Sequence, residues 1–262
     1  DHVNVFPEYA DYLEQFDLRL AAIDRGGAVI YNETDEEVEK VVHRTENEVK
    51  KFPYGLPEYR IEDGKFILET EEGDVPLKIF GRHNVNNLEG ARWICNQMGL
   101  MDEEFYEAIS EFEGASRRLE PIFKTDKVQV FRDYAHAPSK VKATTSATKE
   151  TFENKKLIAC LELHTFSSLS KEFIKQYRNT LATADAALVY YNPQVLAHKK
   201  LPQLSKQDVQ EAFNDEGIVI ANITDEVMEF IRQEAKEEAI MLLMSSGNFD
   251  GINWAEELPK LV

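Results

Sequence analysis

Several stretches of the chain gather side chains able to hold an anion or move a proton, and each follows an apolar run. After Phe131 comes RDYAHAPSK, after Leu163 comes HTFSSLS, after Tyr191 comes Asn192-Pro193, and after Met244 comes SSGNFDG. If the apolar runs are parallel strands of an open sheet, ligands bind beyond their carboxyl ends. Asp133, His136, His164, Ser167, Ser245, Ser246 and Asn248 would then converge on one edge. Taken singly, each is better explained as a turn or cap residue, because Ser, Asn and Asp bond to nearby backbone in any strand-to-helix loop. Two histidines on the same edge weigh the other way, since imidazole binds phosphate or carboxylate and exchanges protons near neutral pH.

A second group is GRHNVNN, residues 81–87. Arg82, His83, Asn84 and Asn87 crowd the start of a helix, where free N–H groups and the helix dipole favour an anion or nucleotide. The structural alternative is that Asn84 caps the helix and Gly81 is a turn residue. A third group is Asp1-His2 with Asn4. A lone histidine near a terminus usually carries no function, a metal ligand being the alternative.

The elements that must position these residues can be read from periodicity. Tyr9, Tyr12, Leu13, Phe16 and Leu20 share one face of an amphipathic helix that Gly26-Gly27 ends, and a strand from Ala28 to Tyr31 follows. From Glu48 to Phe80 short extended runs broken by Asp63-Gly64 and Glu72-Gly73 predict a β-meander. Helices are expected from Asn84 to Met98 and from Asp102 to Phe112, the second with Asp102 as its cap. A boundary near residues 114–120 then divides the chain into a first domain, 1–115, and a second, 116–262.

In the second domain, apolar runs Val128 to Phe131, Leu157 to Leu163, Ala186 to Tyr191, Gly217 to Ile220 and Ile240 to Met244 alternate with expected helices at 139–152, 170–182, 206–213 and 224–237. Unalternating strands separated by helices predict an α/β fold, here a doubly wound parallel sheet. The Lys/Pro stretch from His198 to Pro202 reads as a surface insertion.

Composition narrows the function. The 262 residues carry a formal charge of −18, which argues against a surface that neutralises nucleic acid or an anionic membrane. No apolar run approaches the roughly 18 residues that span a bilayer, and the opening is unlike a signal peptide, so a cytoplasmic location is expected. Cys95 and Cys160 form no CxxC pair and are expected in cores.

Four ordered motifs resemble the Mur ligase family: DHVNVFP its DH motif, GRHNVNNLEGA its GxHNxxNxxAA motif, FEGASRRLE the segment leading into its last domain, and RDYAHAPSKVKAT its DYAHxP motif. The resemblance implies the later part of a central ATP-binding domain followed by a Rossmann-like carboxyl-terminal domain that receives the amine substrate. It implies that Arg118 and His83 serve catalysis, Arg118 at the γ-phosphate, and that Asn84 and Asn87 contact ATP, with Asp133 at the ribose. His2 would help bind Mg2+, and His136, His164, Ser245, Ser246 and Asn248 would face the amine. ATP would convert a carboxylate to an acyl phosphate that an amine attacks, in a cleft between the domains. No lysine precedes Lys40, so the resemblance favours the branch acting on UDP-N-acetylmuramate, which lacks the carbamylated lysine of other branches. Within it, LLMSSGNFDGI is most like the MSNGGFGG loop of the ligase that uses a murein tripeptide; L-alanine is the alternative amine.

No GxxxxGK[ST] loop is present. The expectation is therefore a piece of a longer protein that lacks the phosphate cradle and the uridine-nucleotide domain, is inactive alone, and is less stable over residues 1–113 than over 120–262. A non-catalytic nucleotide- or peptide-binding module is the rival from another class. A magnesium-dependent phosphohydrolase is weaker, since the second domain's loops offer only Asp133 and Asp250 as metal carboxylates.

Overall fold

The computed structural model describes residues 5–262, so His2 lies outside the described residues. The chain divides into two compact units, one ending at Glu113 and the other comprising Gly114–Val262.

In the first unit, helix α1 (Tyr9–Ala21) leads through Gly26, whose φ of 80° turns the chain, into β1 (Ala28–Asn32). Helix α2 (Glu36–Arg44) was not foreseen; Asp35 caps it by accepting the Glu37 and Val38 N–H groups, each at 3.1 Å. Leu20, Tyr31, Val41 and Val42 form the small core beneath α1 and α2. Of the expected face of α1, only Leu20 is buried, and Tyr9 and Phe16 are 60% and 43% exposed.

Strand β2 (Lys50–Tyr54) corrects the expected meander, because it pairs in parallel with β1, the Lys50 N–H bonding Gly27 O at 2.8 Å. The meander proper is β3 (Tyr59–Glu62), β4 (Lys65–Thr70) and β5 (Gly73–Leu77), antiparallel in that order. Its first hairpin turns at Asp63 and Gly64, both at positive φ, as a two-residue Asp-Gly turn requires.

Two helices close the unit, α3 (Arg82–Gln97) and α4 (Asp102–Ser110). Asp102 is not the cap of α4. Its carboxylate binds Arg92 and Asn96, while Glu104 takes the Met101 N–H at 3.0 Å. Cys95 is only partly buried, against expectation.

The second unit is a six-stranded sheet of β6 (Glu120–Lys124), β7 (Val128–Asp133), β8 (Lys156–Leu163), β9 (Ala186–Tyr191), β10 (Val219–Ala221) and β11 (Ala239–Met244), in the order β10-β9-β8-β11-β7-β6. All neighbours are parallel except β6, an antiparallel edge strand not foreseen. One face packs on Val227, Phe230 and Ile231 of α8 (Thr224–Glu234) and on Trp254, Leu258 and Leu261 of α9 (Trp254–Leu261). The opposite face meets α5 (Pro138–Thr151), where Thr145 touches Met244. Burial on both faces explains why β8 and β11 read as continuous apolar runs. Cys160 sits wholly inside β8, and burial pushes its thiol up to about 12.

The helix expected at 170–182 reduces to one 3-10 turn, Phe173–Tyr177. Tyr177 and Ile174 are buried there, the Tyr177 hydroxyl donates to His136 O, and Asn179 takes a φ of 59°, so local and tertiary bonds replace a continued α ladder. Short α6 (Pro193–His198), entering the Lys/Pro stretch, and α7 (Lys206–Phe213) complete the unit. Among the described residues, no helix is long and apolar enough to cross a membrane.

Candidate active site

The sheet order brings the informative loops together. Strand β11 inserts between β7 and β8, with Met244 level with Asp133 on one side and Leu161 on the other. The chain thus leaves β7, β8 and β11 side by side at one edge, the arrangement in which α/β sheets build ligand sites.

Asp133 ends β7 and is buried, 3% exposed. One carboxylate oxygen accepts the Leu119 N–H at 2.8 Å and the other the Ala135 N–H at 2.6 Å. The Tyr134 N–H adds a bond to Arg117 O at 2.7 Å. Arg117 and Leu119 both have left-handed backbone, φ 57° and 47°, a conformation that non-glycine residues keep only when neighbours hold it. Asp133 is thus a holder of the segment carrying Arg118. The Arg118 side chain is exposed and lies 5.6 Å from the centre of the Tyr134 ring.

The centre of the edge is a residue that sequence reasoning missed. Glu162, the seventh residue of β8, is 3% exposed. Its carboxylate accepts the Ser245 hydroxyl and, at 2.8 Å, the Phe249 N–H, and it lies 3.6 Å from His164 Nδ1. Ser245 Oγ in turn accepts the Gly247 N–H at 2.7 Å. Burial pushes the Glu162 carboxyl up, but bonds from His164, Ser245 and Phe249 outweigh it and hold the group below the usual carboxylate range. The SSGNFDG loop is therefore clamped to β8 by a buried anion. Gly247 is required at close quarters, since a Cβ there would stand 2.9 Å from Glu162 Oε2 and from His164 Cγ. The available signal was a lone acid in the run KLIACLEL, because a charge in a buried strand needs partners.

The other candidates divide. His164 is partly exposed beside Glu162. Ser246 has a buried hydroxyl with no hydrogen-bond partner, and Asn248 is exposed, its Oδ1 accepting the Gly251 N–H at 3.1 Å. His136 is buried, its Nδ1 bonded to Tyr134 O at 2.8 Å, and Ser167 is buried too.

In the first unit, Gly81 rather than Asn84 is the N-cap of α3, with φ 94° and ψ 129°. Asn84 lies in the first turn, its amide donating to Phe80 O at 2.8 Å. His83 is half-buried, Asn87 is exposed, and the first turn carries no acidic residue. That end of α3 suits an anion. Among the described residues, no group of three or more His, Cys, Asp or Glu side chains could hold a metal ion.

The family model for the Mur ligase glutamate ligase domain matches residues 117–247, half of the chain and all three clustered strand ends. The chain belongs to the Mur ligase family. This Mur ligase chain is 28% identical over 187 residues to a UDP-N-acetylmuramate–L-alanine ligase of Sulfurihydrogenibium sp., covering 68% of this chain and 41% of that protein. It spans about half the length of the curated relatives it matches. Solved structures of a UDP-N-acetylmuramate-alanine ligase from Thermotoga maritima (TM-score 0.68, 18% identity, 95% of this chain and 55% of that one) and a murein peptide ligase from Psychrobacter arcticus (0.63, 19%, 95% and 54%) share the fold.

Proposed function

We propose that this Mur ligase chain serves an ATP-dependent ligase of peptidoglycan synthesis or recycling, which joins an amine to the muramyl carboxylate of UDP-N-acetylmuramate through an acyl phosphate. The observation that carries this reading is the family match across the loops after β7, β8 and β11. A carboxylate is a poor electrophile until phosphorylated, and the exposed Arg118 is the group we assign to the transferring phosphoryl charge. The start of α3, with Arg82, His83, Asn84 and Asn87, is the proposed ATP contact of the first unit. The proposed role of the Glu162-clamped loop, with His164, Ser246 and Asn248, is to orient the amine, which must be held close and unprotonated to attack.

The curated relatives favour L-alanine as the amine. A murein tripeptide, the amine expected from SSGNFDG, is kept by the resemblance of that loop and rests on it alone. The test is ligation by the protein that carries this chain, with UDP-N-acetylmuramate, ATP and magnesium, offering L-alanine or L-Ala-γ-D-Glu-meso-diaminopimelate. Phosphate release that depends on one amine supports the ligase and selects the substrate; release that depends on neither overturns it.

A further inference from the structure

Phe173, Tyr177 and Phe213 form an aromatic group where the 3-10 turn of the second unit packs on α7. Tyr177 is fully buried, its ring stacked on that of Phe213 with centres 5.4 Å apart and set edge-on to Phe173 at 6.3 Å. The end of the turn is tied down as well, since Thr180 Oγ1 donates to Tyr177 O at 2.8 Å and the Asn179 N–H to Phe213 O at 3.1 Å. The other two rings are phenylalanines, so packing alone does not ask for a hydroxyl at this place. A buried hydroxyl is costly unless it is bonded, and the bond it makes is informative.

The Tyr177 hydroxyl donates to His136 O, 41 residues earlier in the chain, in the loop after β7. Burial pushes this hydroxyl well above the ordinary tyrosine range, the Ser168 hydroxyl offsetting part of the rise, so it stays a donor at neutral pH. The loop runs straight into α5, whose cap residue Ala137 makes no side-chain capping bond and whose first residue is Pro138, without an N–H. The start of α5 therefore does little to fix the loop, and Tyr177 reaches it from another part of the fold. From His136 the contacts run on towards Arg118. His136 Nδ1 bonds Tyr134 O at 2.8 Å, the two rings meet edge to face with centres 5.0 Å apart, and the Arg118 guanidinium lies 5.6 Å from the centre of the Tyr134 ring. A guanidinium is attracted to an aromatic face, so the direction of the exposed Arg118 depends on where Tyr134 stands.

We propose that Tyr177 is a positioning residue of the ligation: its hydroxyl fixes the loop that carries Tyr134 and His136, and through the Tyr134 ring it sets the Arg118 side chain. That Arg118 meets the transferring phosphoryl group rests on the function proposed above; the hold of Tyr177 on the loop does not.

Tyr177→Phe keeps the stacked ring and removes only the hydroxyl. Tyr191→Phe is the matched control, since it removes another buried hydroxyl bonded to a backbone carbonyl, Leu204 O at 3.0 Å. The Tyr134 N–H, which donates to Arg117 O at 2.7 Å, reports on the loop. In the 262-residue chain, its hydrogen exchange is expected to quicken about fivefold in Tyr177→Phe and to stay within about twofold in Tyr191→Phe. Unchanged exchange at Tyr134, or equal quickening in both variants, overturns the hold on the loop. In the ligation assay, Tyr177→Phe is expected to lower kcat about fivefold with KM for ATP and for the amine within about twofold, the pattern of a group set for the transition state. In a Tyr134→Leu background the same substitution should cause no further fall, because the link to Arg118 is already cut. An unchanged kcat, an equal fall in Tyr191→Phe, or falls that multiply in the double variant overturn the positioning role. If the unaltered protein does not ligate, the ligase reading fails, and exchange at Tyr134 alone decides whether Tyr177 holds the loop.

Discussion

Replacing Glu162 with glutamine tests whether a buried charge holds the loop after β11. Glutamine keeps the volume and one acceptor oxygen but removes the charge and introduces an NH2 group among donors. Two bonds converge on Oε2, from the Ser245 hydroxyl and the Phe249 N–H. A bond to a charged group contributes about 1.5–3 kcal/mol and a neutral one about 0.5–1.5, so each loses roughly 1 kcal/mol. The expected loss of stability is therefore about 2–3 kcal/mol. Trp254, whose ring centre lies 5.4 Å from that of Phe249, reports on the loop once Trp93, the other tryptophan, is changed to phenylalanine. Urea unfolding of the parent and Glu162→Gln proteins in that background, followed by fluorescence, gives the difference. Its pH dependence has a fixed sign. The Glu162 carboxyl is depressed in the folded protein below its ordinary 4.5, so its contribution is complete above that value and is lost as pH falls through the lower, folded value. The stability gap between the parent and Glu162→Gln should be full near neutrality and shrink below about pH 4.5. A gap under about 0.5 kcal/mol at neutral pH, or one constant into acid, would refute the reasoning.

Other outcomes follow from the same geometry. Gly247→Ala places a methyl group 2.9 Å from Glu162 Oε2; a loss of about 1–3 kcal/mol is expected, and it should not add to that of Glu162→Gln, since both disturb one clamp. Asp133→Asn removes one of two acceptors for the Leu119 and Ala135 amides, and hydrogen exchange at Leu119 should quicken by about tenfold, equivalent to about 1.4 kcal/mol. Gly81→Ala forces a side chain onto φ 94°, at a cost of about 1–3 kcal/mol, read from Trp93 of α3 by urea unfolding; an unchanged midpoint would contradict the cap.

Residue types and spacing alone placed most strands of the second unit, because burial on both faces of a parallel sheet writes long apolar runs such as those of β8, β9 and β11. They also placed the polar residues that follow those runs, and the ordered motifs led to the family that the comparison then showed. Short or tertiary-dependent elements were not legible: β2 was not read as a strand of its own because its pairing depends on where β1 lies, and 170–182 was misread because the Tyr177 bond to His136 O is invisible in sequence. The same limit hid Glu162. It is one charged residue within an apolar strand, and only folding decides whether such a charge faces water or a clamp. Asp133 was picked out by its motif, but its bonds to the Leu119 and Ala135 amides appear only in the fold. Sequence fixes which groups are available; the crossing of β11 between β7 and β8 decides which of them meet, because side chains far apart in the chain become neighbours only through strand order.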